Sequence, residues 1–76
     1  MKPGDLVRVI ALPPRLPDSA ETRLAFERAI GHTFPIVDIT ALGHVELEVS
    51  ELMGVSASLH SIWIEPECLE LVQPAR

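Results

Sequence analysis

The stretch His32-Thr33-Phe34-Pro35-Ile36-Val37-Asp38-Ile39-Thr40-Ala41-Leu42-Gly43-His44-Val45-Glu46-Leu47-Glu48-Val49-Ser50 decides the fold. It reads as two strands joined by a tight turn at Ala41-Leu42-Gly43-His44, with Gly43 supplying the backbone freedom the turn needs. In the second arm Val45, Leu47 and Val49 alternate with Glu46 and Glu48. A period of two, apolar on one side and charged on the other, marks a strand with one dry and one wet face. The first arm, residues 33–40, carries apolar residues in both phases. Asp38 and Thr40 belong in water, which sends Val37 and Ile39 inward and leaves Phe34 and Ile36 on the outer side. Pro35 lacks a backbone donor, so this end belongs at a sheet edge or a strand start.

Before this hairpin, Lys2-Pro3-Gly4-Asp5 is a turn and residues 6–11 form a strand. Arg8 faces water, so Val7 and Val9 go inward while Leu6 and Ile10 share the outer face with Arg8. Three prolines in Pro13-Pro14-Arg15-Leu16-Pro17 end that strand and make a stiff connector. A helix follows over residues 18–31, its body about 19–30. Asp18 or Ser19 caps its start, Glu21 completes a box-like pattern, and Gly31 suits the left-handed position past its end. Its apolar stripe is Phe26, Ala29 and Ile30, with Leu24 off it.

After the hairpin, residues 51–59 read as a longer loop whose apolar Leu52, Met53 and Val55 either tuck under the sheet or mark a contact site. Residues 60–65 are a strand with Ile62 and Ile64 inward and Ser61 and Trp63 outward. Pro66-Glu67-Cys68 opens a single helical turn, residues 69–72 close the chain as a short strand, and residues 73–76 are tail.

Seventy-six residues make a single domain with a thin core, burying ~60–65% of the surface that the unfolded chain exposes. Hydrophobic residues make up 47% of the chain, which argues for a globular fold; Phe26, Phe34 and Trp63 are the only aromatics, so the core is mostly aliphatic. A lone Cys68 permits no internal disulfide and suits a reducing compartment. No basic start leads into an apolar run, and no stretch reaches the ~18 apolar residues of a membrane span, so a cytoplasmic protein without membrane contact is expected.

The net charge of −5 is unevenly placed: residues 1–37 hold five basic and four acidic side chains, residues 38–76 one basic and seven acidic. The acidic half repels phosphates, which argues against nucleic acid as a partner. It reads as solvated strand faces or as a docking face for a basic partner.

The opening Lys2-Pro3-Gly4-Asp5-Leu6-Val7-Arg8-Val9, the turn at Gly43, and the closing Ser61-Ile62-Trp63-Ile64-Glu65-Pro66-Glu67-Cys68-Leu69-Glu70-Leu71-Val72 together resemble the Src-homology-3-like (SH3-like) small barrels, in a bacterial style. The resemblance implies a mainly β fold. It would be a five-stranded, partly open barrel with one helix inserted between strands 1 and 2 and a single helical turn before the last strand. The aromatic cluster that proline-binding members use is missing, since the chain has no Tyr and one Trp, so their binding residues do not carry over. Some bacterial barrels of this kind are accessory subunits of larger enzymes, which gives a second reading of the function.

No constellation points to chemistry. His32, His44, His60 and Cys68 come from different segments with no metal-ligand spacing, and no nucleophile has a base beside it in sequence. Glu46 and Glu48 share a face but read as surface acids, and the four glycines stand apart rather than forming a phosphate loop. The expectation is a non-enzymatic interaction module without cofactor or metal, binding a protein or itself. Its candidate contacts are Trp63, Phe34 and Ile36, which fall with Leu6 and Ile10 on the outer face, and Met53 and Val55 in the following loop. Two arrangements compete for the outer set. Either the helix covers it with Phe26, Ala29 and Ile30, which is the expectation, or part of it stays open.

Overall fold

Strand β2 (Thr33–Ile39) changes partners halfway along, and the rest of the fold is arranged around that change. Its first half pairs antiparallel with β1 (Leu6–Val9) and its second half with β3 (Val45–Glu48). Ile36 stands at the junction: its N–H donates to the Asp5 carbonyl, its carbonyl accepts from Gly4 N–H, and it lies opposite Leu47 on β3. With β4 (Ser61–Ile64) beyond β3 and β5 (Leu69–Gln73) beyond β1, the order is β4-β3-β2-β1-β5, an open antiparallel sheet of five strands. The computed structural model describes residues 1–16, 18–54 and 61–75.

Pairing steps from Ile36↔Leu47 to Asp38↔Glu46, so two residues of β2 oppose one step of β3. Val37 is therefore the extra residue of a β-bulge, and a bulge reverses which phase of a strand faces inward. Before it, Phe34 and Ile36 are buried at 8% and 3% exposure; after it, Ile39 packs against the core opposite Val45. Val37 itself is 50% exposed. The expectation that Phe34 and Ile36 face outward and Val37 inward is thus corrected, while Ile39 lies inward as expected. Elsewhere the alternation reads as written: Val7, Val9, Val45, Leu47, Val49, Ile62 and Ile64 are all buried.

Helix α1 (Ala20–Ala29) lies between β1 and β2 in the chain. Of the two possible caps, Ser19 acts: it is extended, and its Oγ accepts from Thr22 N–H at 3.3 Å. The helix ends one residue early. Ile30 leaves helical geometry and bridges to Val9, and Gly31 N–H donates to the Val9 carbonyl at 2.8 Å. Ile30 is therefore 43% exposed, and Ala25 takes its place in a buried stripe of Ala25, Phe26 and Ala29. These three join the sheet residues in a single core instead of forming a second one on the outer face. Burial at ~25 cal/mol per Å² makes Phe26 the main anchor of the helix.

Residues 40–44 close the β2–β3 hairpin with Gly43 at φ 88°, where Gly43 N–H donates to the Thr40 carbonyl and Thr40 N–H to the His44 carbonyl. Past β3 a 3₁₀ turn, Ser50–Met53, stands where a plain loop was expected, and Leu52 packs partly against the core. The second 3₁₀ turn, Pro66–Cys68, precedes β5 and buries Cys68. Across β1 and β5, Arg8 Nη1 meets Glu70 Oε1 at 2.7 Å, an exposed pair worth ~0.2–1 kcal/mol.

Both ends of the chain meet at Asp5. Its Oδ2 accepts from Lys2 N–H at 3.0 Å and its Oδ1 from Ala75 N–H at 2.7 Å. Gly4 beside it has φ 91°, and a Cβ there would stand 3.1 Å from Ala75 Cβ, so only glycine fits this approach without adjustment. The Ala75 N–H holds the Asp5 carboxyl below its ordinary value of 3.8; burial opposes this, and the Lys2 N–H and charge assist it. A depressed carboxylate contributes stability above its unfolded-state value and loses it as pH falls through the folded value. Wild-type stability is therefore expected to fall below pH 3.8, and its advantage over Asp5→Asn at pH 7 to shrink over the same range, as read by urea unfolding at several pH values.

Candidate functional site

Past the bulge, β2, β3 and β4 carry their side chains in matched rows. Ile39, Val45 and Ile64 form one inward row, and Ile36, Leu47 and Ile62 another. Between them lies an outward row of Asp38, Glu46 and Trp63, one residue from each strand. The three-residue hairpin loop fixes this register, since closing at Gly43 sets Ile39 against Val45 and hence Asp38 against Glu46. Trp63 is 45% exposed, and no helix residue lies across it to complete a second core. Phe26 and Phe34, by contrast, are buried.

The acids on this face differ in what they do. Glu48 is a structural clamp: its Oε1 accepts from the Ser50 N–H at 2.9 Å and from the Ser50 hydroxyl, and its Oε2 accepts from the Ser61 hydroxyl at 3.4 Å. It ties the end of β3 to the following 3₁₀ turn and to β4. Asp38 Oδ1 accepts from Ile39 N–H at 2.8 Å, which orients the carboxylate beside the bulge. Glu46 is half-buried between Asp38 and Trp63. At the end of the face, His44 Nε2 stands 3.8 Å from Glu65 Oε1.

A separate shallow cleft of about 310 Å³ opens where the first 3₁₀ turn faces the start of β2. Residues 32–35 form one wall, and Glu48, Ser50, Glu51 and Leu52 the other. Phe34 and Leu52 give it an apolar floor, but Glu48 and Ser50 are engaged with each other.

Of the expected contact residues whose side chains are described, then, only Trp63 stands on the open face. Phe34 and Ile36 belong to the core, with Phe34 showing only an edge in the cleft; Met53 ends the 3₁₀ turn, and Val55 lies outside the described residues. Asp38 is exposed, as alternation places it; that it shares a row with Glu46 and Trp63 follows from the hairpin length. Other exposed apolar side chains among the described residues are spread over a turn (Leu42), edge strand β5 (Leu71 and Val72) and the helix (Leu24), as on most surfaces. Trp63→Ala is expected to cost about 1 kcal/mol or less in urea unfolding, because the ring closes no part of the core.

Among the described residues no group of three or more His, Cys, Asp or Glu is placed to hold a metal ion. Burial pushes the Cys68 thiol up, and Glu65 and Glu67 push it further, so it is a protonated core group at neutral pH. No helix among those residues is long and apolar enough to cross a membrane. No protein-family model, curated protein or solved structure matches the chain.

Proposed function

We propose that this chain is a non-enzymatic protein-interaction module, and that it docks a partner on the outer face of β2, β3 and β4 around Trp63. The observation that carries this reading is the exposure of the chain's one tryptophan on edge strand β4, at the end of the outward row Asp38, Glu46 and Trp63, while both phenylalanines are used in the core. Tryptophan is among the residues most enriched at binding hot spots, and an open ring on a strand face gives a partner a large rigid contact. The fold reading goes with it. An SH3-like barrel is supported by the position of β1 between β2 and β5 and by the 3₁₀ turn before the last strand. Such a scaffold displays surfaces without dictating chemistry.

The test is photo-crosslinking with p-benzoylphenylalanine in place of Trp63, in lysate of cells that make this protein. A discrete protein adduct at position 63, absent when the same group replaces exposed Leu24 on the helix, is the expected result. Equal labelling at both positions, or none at 63, contradicts the reading.

A further inference from the structure

No lysine or arginine occurs in β2, β3 or β4, so the row of Asp38, Glu46 and Trp63 has no cation of its own on these strands. Five of the six basic residues fall in residues 1–28 and the sixth is Arg76. The Glu46 carboxylate has neither a hydrogen bond nor an ion pair to the described residues, whereas the carboxylate of Glu48 is engaged by Ser50 and Ser61. Glu46 lies directly opposite Trp63 on the neighbouring strand, where facing side chains start about 4.5–5.5 Å apart. A cation over an indole face sits within about 6 Å of the ring centre, which is also within reach of that carboxylate.

We propose that this face takes an arginine side chain from a basic protein segment, its guanidinium stacked on Trp63 and forked to Glu46, with Asp38 next in the row adding charge. This rests on the reading of the Trp63 face as a docking surface. Arginine fits better than lysine because its planar group stacks and donates in two directions at once. A nucleic acid would bring phosphates against the carboxylates. A second copy meeting this face about a two-fold axis would bring the Asp38 and Glu46 carboxylates of both copies into one interface without a cation from these strands, in a chain already at −5.

The full chain, whose one tryptophan reports directly on the site, is titrated with three capped peptides of alternating glycine and arginine, glycine and lysine, or glycine and glutamate. The expected result is a saturable change in Trp63 emission with the arginine peptide, weaker binding of the lysine peptide and no response to glutamate. Added salt weakens the response, and Glu46→Lys weakens it by about tenfold or more. Asp38→Asn, which keeps the acceptor for Ile39 N–H, provides a gentler variant and weakens binding by a few-fold. The inference is overturned if the arginine peptide gives no saturable change, or binds both variants as tightly as the wild type. A silent arginine peptide alongside a specific adduct at position 63 removes the arginine and leaves the docking face. Silence in both experiments removes both.

Discussion

Phe34→Ala is expected to lower stability by about 3–5 kcal/mol, because it empties the core space that a buried ring fills. A 76-residue domain has roughly 4–11 kcal/mol in total at ~0.05–0.15 kcal/mol per residue, so this one change removes a large share. At ~4–8 °C per kcal/mol the melting temperature drops by tens of degrees. Val37→Ala, three residues along the same strand, is expected to stay within ~0.5 kcal/mol because Val37 is the exposed bulge residue. Thermal and urea unfolding of the two variants checks the pair. The opposite ranking would place Val37 inside and remove the bulge.

The second large effect is expected at Phe26. Phe26→Ala takes away the ring that anchors α1 in the shared core and is expected to cost about 3–5 kcal/mol. Ile30→Ala, at the end of the same apolar stripe in sequence, is expected to cost less than about 1 kcal/mol, since Ile30 has left the helix and faces solvent. If Ile30 proved the costlier site, the helix would run on through residue 30 and lie elsewhere. Hydrogen exchange on Phe26→Ala adds a second readout: protection is expected to fall in α1 and in the strands together, because they share one core.

The outcomes at β2 and α1 show what kinds of pattern a sequence makes legible. In β3 and β4 one phase is apolar and the other polar or, at Trp63, singular, so the faces could be read directly. In β2 both phases are apolar, and the one charged residue that marks a phase, Asp38, lies beyond the bulge. Phase carried backward from Asp38 across an inserted residue is inverted, so simple alternation is right at Ile39 and wrong at Phe34 and Ile36. The helix end failed for a related reason. A 3.6-residue stripe includes Ile30, but the bridge to Val9 is a contact between segments distant in sequence, and no local pattern records it. The Asp38–Glu46–Trp63 row is half legible: alternation turns each residue outward, and the hairpin length aligns them.

Acrylamide quenching of Trp63 in the monomeric protein tests the central claim most directly. An indole standing on an open, acidic sheet face emits at long wavelength and is quenched readily, and that is the result expected here. A blue emission that resists quencher, in a sample shown by sedimentation to be monomeric, would mean that the ring is enclosed by its own chain and that this face is not available to any partner.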